Sequence, residues 1–152
     1  MRFRFAVRVM AIGLAGAALG LAWNAVSGRG FALGANVMIK QGDEVVPVAQ
    51  ARVRIEAGAL ALDARPVDFY AMQHIPGALS LPEDDFEAAF LRLEKRLRAS
   101  SDVLVYCAGF GCEASHMVSR KLKERGIPAA ILEEGWPAWQ DAGYPVKAGS
   151  EP

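Results

Sequence analysis

Cysteine and histidine are scarce in this chain, and their scarcity excludes two common ways of stapling a small domain. There are two cysteines, Cys107 and Cys112, and two histidines, His74 and His116, among 152 residues. Two cysteines do not make a disulfide framework. No Cys-x-x-Cys or His-x-x-His spacing occurs, so no metal site is expected. An excess of charge is missing too. The 17 Lys+Arg offset the 17 Asp+Glu to a net charge of zero, which leaves no electrostatic case for nucleic acid or a polyanionic partner. The chain contains no internal repeat and no low-complexity stretch.

What is present divides the chain into an amino-terminal apolar segment and a mixed globular part. Arg2, Arg4 and Arg8 precede an uncharged run from Val9 to Gly28. About 20 such residues suffice to cross a bilayer as a helix. Residues 1–28 therefore read as a basic terminus and a transmembrane or signal-anchor helix, with residues 5–28 meeting the membrane. Trp23 lies near the far end, where amphipathic rings favour the interface. The positive flank keeps the amino terminus cytoplasmic, which places the rest on the exported, periplasmic side of the inner (cytoplasmic) membrane. A cleaved signal peptide is the rival reading, with Ala25-Val-Ser27 as its small-x-small site.

Residues 29–44 read as a Gly-rich linker and residues 45–148 as one domain, large enough to bury a core unaided. Val45-Val-Pro-Val48 is a short strand or a helix entry, and Val48 to Ala57 a helix. Ala59 to Leu62 is a buried strand with Asp63-Ala-Arg65 at its carboxyl end. Pro66 to Met72 is a short helix begun by proline, and Gly77 to Leu81 a short strand. Phe86, Ala89, Phe90, Leu93 and Leu97 recur at helical spacing, so Asp85 to Arg98 is a helix. Asp102 to Tyr106 is a strand, and Ala114, Met117, Val118 and Leu122 give one apolar face to a helix ending at Gly126. Pro128 to Leu132 is the last strand, and Trp136 to Ala142 the last helix. Alternating strands and helices imply an α/β domain whose mostly parallel sheet is covered on both faces.

The segment from Val105 to Ser115 carries the chemistry. Cys107 follows a strand and precedes a helix amino terminus, where unpaired N–H groups and the helix dipole favour negative charge. A thiol there is driven toward thiolate, its nucleophilic form.

Four motifs taken together resemble the rhodanese-like domain family. They are Leu62-Asp-Ala-Arg65, His74-Ile-Pro-Gly-Ala78, Val105-Tyr-Cys107 with its short Gly loop, and Gly135-Trp-Pro-Ala-Trp139. Their order and spacing agree with the family from about Val45 to Val146, and the amino-terminal segment lies outside it. The resemblance implies a rhodanese-like three-layer domain. It implies that Cys107 carries sulfane sulfur as a persulfide, with no cofactor. It also implies that the backbone of Ala108, Gly109, Phe110, Gly111, Cys112 and Glu113 cradles the persulfide anion.

Two features depart from the family pattern. Many members have Arg five residues after the cysteine, where this chain has Cys112. No Lys or Arg in the loop is available for the charged end of thiosulfate. Glu113 suits the helix dipole but works against thiolate formation. It would also repel an oxyanion at the sixth position, which disfavours phosphatase or arsenate-reductase chemistry of Cys-x5-Arg type.

Each singled-out residue also has a plain structural role. Cys107 as an inert core thiol and Cys112 as filler are the bland alternatives to a nucleophile and its redox partner. Both are expected as thiols in the resting domain. Asp63 reads as a strand-end carboxylate tying loops together, Arg65 as a paired guanidinium, His74 as a satisfied histidine within its turn, and His116 as solvent-facing, with a base approaching Cys107 as its alternative. Ser115 either bonds the loop or caps the helix. Trp136 and Trp139 read as core aromatics. The leading expectation is a membrane-anchored, exported sulfurtransferase or sulfane-sulfur carrier acting between a sulfur donor and a thiol acceptor. The alternatives are a non-catalytic module that docks a protein partner at the membrane, and a thiol–disulfide element built on Cys107 and Cys112.

Overall fold

Short apolar runs bounded by turn residues become the strands of one parallel sheet. The structure, a computed structural model, describes residues 43–152 together with Gly13, Gly16 and Leu19, which are helical positions. The expected membrane segment and the linker up to residue 42 otherwise lie outside the described residues. Among the described residues no helix is long and apolar enough to cross a membrane.

In chain order the elements are β1 (Val45–Val46), α1 (Val48–Glu56), β2 (Leu60–Asp63), α2 (Val67–Met72), β3 (Leu79–Ser80), α3 (Phe86–Ala99), β4 (Val103–Tyr106), α4 (Glu113–Glu124), β5 (Ala130–Leu132) and α5 (Gly135–Asp141). The sheet order is β1-β5-β4-β2-β3. All four pairings are parallel, with Leu62 opposite Val105 and Leu104 opposite Ala130. β4 is the central strand and is buried along its whole length. That explains its unbroken apolar sequence, since a strand covered on both faces has no solvent side to make polar.

Alternation along the strands assigns the helices to faces. Val103, Val105 and Cys107 join Leu62 and Leu79 on one face, against Phe86, Phe90 and Leu97 of α3 and Val118 and Leu122 of α4. Leu104 and Tyr106 join Ala61 and Leu132 on the other, against Ala51 of α1, Tyr70 of α2, and Trp136 and Trp139 of α5. The expected three layers are therefore present, and both tryptophans are core residues. In α3 the buried positions Phe86, Ala89, Phe90 and Leu97 follow the helical period, while Leu91 points outward at 72% exposed.

The two residues just before β1 make contacts with the domain. The Glu44 carbonyl accepts from Ile131 N–H at 2.8 Å, and Asp43 pairs with a side chain of α4. These two acidic residues follow a Gly-containing stretch and look like solvated spacer, but the sheet engages Glu44 and a helix engages Asp43.

Candidate active site

β4 delivers Cys107 to the carboxyl edge of the sheet, where sites of doubly wound α/β domains sit. The Cys107 carbonyl accepts from Trp136 N–H at 2.8 Å, which pins the loop to the start of α5. Gly135 makes that contact possible. Its φ is 65°, and a Cβ there would stand 2.5 Å from the Cys107 carbonyl oxygen and 2.8 Å from Gly109 N. Only glycine tolerates both the left-handed backbone and the close approach.

The loop then folds back on itself. Cys112 N–H donates to the Gly109 carbonyl at 3.1 Å, and Gly111 turns the chain with φ 69°. This return brings the Cα atoms of Cys107 and Cys112 to 6.1 Å, and the two sulfurs form a disulfide. The expectation of two resting thiols is thus corrected. The left-handed turn at Gly111 supplies a separation within the 4.4–6.8 Å that disulfides span, despite a sequence separation of only 5. Ser115 settles as a loop ligand, since its hydroxyl donates to the Cys112 carbonyl at 2.9 Å. Cys107 is 4% exposed and packs with the core of the α3/α4 face, with Cys112 partly buried beside it. Ala108, Phe110 and Glu113 are exposed. Among the described residues no backbone carbonyl takes the N–H groups of Ala108, Gly109, Phe110 or Gly111. Those donors are what an anion cradle uses.

Beside the loop lies a buried charge pair. Asp63 is fully buried and Arg65 nearly so. Arg65 Nη2 donates to Asp63 Oδ2 at 2.6 Å and to the Gln73 carbonyl at 2.7 Å, and its Nε donates to Asp63 Oδ1 at 2.9 Å. The guanidinium lies 4.5 Å from the Trp136 ring centroid and 5.6 Å from that of Tyr106. Bidentate geometry, a carbonyl and two aromatic faces together compensate the desolvation of this pair. Burial pushes the Tyr106 phenol up, with the Asp63 charge adding to it, so the phenol stays neutral. Its oxygen accepts from Ile75 N–H at 3.2 Å. These bonds fasten the His74–Ala78 segment to the strand ends, so the pair ties loops together.

His74 is less satisfied than expected. It is fully buried, its Nδ1 donates to the Tyr70 carbonyl at 2.9 Å, and its ring stacks on Tyr70 at 3.9 Å. Its Nε2 has no partner among the described residues. Backbone bonds in both directions with Lys147 hold it away from solvent. His116 is a clear correction. It is 7% exposed rather than solvent-facing, and its Nδ1 lies 2.7 Å from Asp43 Oδ2. The carboxylate comes from 73 residues upstream, so no local pattern could reveal it. Gly135 and Trp136 belong to a motif quoted for the resemblance, and the structure adds their grip on the loop. The signal was a glycine directly before a tryptophan, just past a strand end.

Residues 48–142 match the Rhodanese-like domain family. The chain belongs to the rhodanese-like domain family. An HTH-type transcriptional regulator of Mycobacterium tuberculosis is 29% identical over 109 residues, covering 71% of this chain and 46% of the regulator. The chain thus spans about half the length of that curated relative. Among solved structures, the rhodanese-like domain of the Anabaena Alr3790 protein is 27% identical with a TM-score of 0.59, covering 71% of this chain and 81% of that one. The thiosulfate sulfurtransferase of Pseudomonas aeruginosa is 27% identical with a TM-score of 0.57, covering 72% of this chain and 21% of that one. The rhodanese-like chain is therefore related to sulfurtransferases.

Proposed function

We propose that this protein is a sulfane-sulfur carrier or sulfurtransferase in which Cys107 holds the transferred atom as a persulfide. The observation that carries this reading is the setting of Cys107. It leaves the central strand into a loop where the N–H groups of Ala108 to Gly111 meet no backbone carbonyl among the described residues, directly before the α4 amino terminus. A persulfide terminus is an anion, and such donors stabilise it without a cationic side chain. In the first half-reaction Cys107 thiolate takes a sulfur atom from a donor, and in the second an acceptor thiolate or cyanide removes it.

The same geometry bears on the donor. No Lys or Arg stands between Cys107 and Glu113. Arg65, close by through Trp136, is committed to Asp63 and Gln73. Neutral or persulfidic donors are therefore favoured over thiosulfate, whose sulfonate end finds no free cation in the loop.

The test is a transfer assay on reduced protein with cyanide as acceptor. The reading expects thiocyanate from wild type, none from Cys107→Ser, and a better rate with an organic persulfide than with thiosulfate. Equal rates for wild type and Cys107→Ser would remove Cys107 from the chemistry.

We further propose that the domain is exported and anchored by residues 5–28. The support is Arg2, Arg4 and Arg8 before an uncharged span, and a Cys107–Cys112 disulfide of the kind that persists in oxidising compartments. A periplasm-active reporter fused after Pro152 should work, and a cytoplasm-only reporter should not. The opposite pattern overturns the placement. The disulfide also favours a second reading, in which Cys107 and Cys112 act as a thiol–disulfide element with no sulfane sulfur involved.

A further inference from the structure

We propose that Cys112 is the resolving residue of this site, discharging the Cys107 persulfide as hydrogen sulfide and leaving the Cys107–Cys112 disulfide seen in the structure. The inference rests on the sulfur-carrier reading and adds the fate of the sulfur.

The steps balance as follows. A donor of the organic persulfide class, RSSH, gives its outer sulfur to the Cys107 thiol and leaves as RSH. Cys112 thiolate then attacks Sγ of Cys107. The Cys107 Sγ–Cys112 Sγ bond forms, and the bond from Cys107 Sγ to the outer sulfur breaks. That sulfur departs with the bonding pair as hydrosulfide, and the proton lost by Cys112 ends on it as hydrogen sulfide. The outer sulfur gains two electrons and the cysteine pair loses two. A thiol reductant of the compartment, one dithiol or two monothiols, restores both cysteines by exchange.

Three observations favour this route over capture by an outside thiol. First, the two cysteine sulfurs already reach each other, with the Cα atoms 6.1 Å apart. Second, both backbones are held for that encounter. Trp136 N–H and the close approach of Gly135 fix Cys107, while the Gly109 carbonyl and the Ser115 hydroxyl fix Cys112. An attacking group held so close acts at an effective concentration orders of magnitude above that of a free thiol. Third, only attack at Cys107 Sγ expels the outer sulfur as hydrosulfide, and that atom belongs to a residue 4% exposed whose Sγ Cys112 reaches directly, whereas an outside thiol meets the outer sulfur first. Cys112 also occupies the N-cap position of α4, where the dipole favours its thiolate. An arginine at this position would bind an anion but could not resolve a persulfide. The cysteine here exchanges substrate charge recognition for redox discharge.

The experiment loads reduced, desalted full-length protein with one equivalent of glutathione persulfide, then follows sulfide release and intact mass together. Wild type should release close to one sulfide per chain and end as the intramolecular disulfide, two hydrogens lighter than the reduced form. Cys112→Ser and Cys112→Ala should retain the added sulfur on Cys107 and release sulfide at least about tenfold more slowly. Using two replacements separates loss of the thiol from a folding defect of either one. If wild type keeps the added sulfur on Cys107 as long as the Cys112 variants do, the resolving role is overturned while the carrier reading stands; if it holds the sulfur on Cys112 instead, both are overturned. If the Cys112 variants never gain sulfur on Cys107, the carrier reading itself fails, and the resolving role falls with it.

Discussion

The two edges of the sheet carry their charges in opposite ways. At the amino edge, Arg54 of α1 pairs with Asp102 and Glu44, whose side chains are 34% and 65% exposed. At the carboxyl edge, Arg65 and Asp63 are 5% and 0% exposed. Water screens the first cluster and lets its members exchange partners. The second has no solvent to fall back on, so every donor and acceptor needs a fixed protein partner. A fixed pair makes a rigid frame. Through Trp136 and Gly135, that frame sets where the cysteine loop sits. Charge that only steadies the fold can remain wet, whereas charge that positions a reactive loop is buried.

The comparison breaks most severely if the buried pair is opened. Asp63→Ala leaves the Arg65 guanidinium buried without its carboxylate, and should cost about 3–5 kcal/mol of unfolding free energy in a denaturant titration. A loss below about 1 kcal/mol would show that the carboxyl edge is as compliant as the amino edge. A smaller effect is expected from the contact between frame and loop. Gly135→Ala places a Cβ against backbone atoms in a left-handed conformation, and should cost about 2 kcal/mol. It should also reduce sulfur transfer in protein that remains folded. Normal transfer in a destabilised Gly135→Ala protein would separate the clamp from the chemistry.

The smallest effect belongs to the amino edge. The Arg54 guanidinium holds the Asp102 carboxyl below its ordinary value of 3.8. A depressed carboxyl contributes its stability in full above the unfolded value and loses it as pH falls through the lower folded one. Asp102→Asn should therefore cost about 1 kcal/mol or less at neutral pH. Its deficit should shrink below pH 3.8 and also in high salt. A deficit that persists unchanged into acid would assign the Asp102 effect to packing instead.

Local order was legible in the sequence because local order has a period. β4 reads as an apolar run since it is covered on both faces, and α3 reads from Phe86, Ala89, Phe90 and Leu97 since one side of it is covered. The resemblance placed Asp63, Arg65, His74 and Cys107, and the structure brings Asp63 and Arg65 together with the backbone of the His74 segment at one sheet edge. What was hidden depended on the third dimension. The His116–Asp43 pair joins residues 73 apart, and the Cys107–Cys112 bond follows from the direction in which Gly111 turns the chain. Spacing alone shows neither a partner so distant nor the sense of a turn.

The central claim is that the carboxyl edge makes Cys107 a carrier of sulfane sulfur, and intact mass spectrometry of the Cys112→Ser protein tests it most directly. After exposure to an organic persulfide and removal of excess reagent, the account predicts a gain of one sulfur atom per chain. That gain should be lost on adding cyanide and absent when Cys107 is also replaced by serine. A protein that gains no sulfur, or gains it equally without Cys107, contradicts the account.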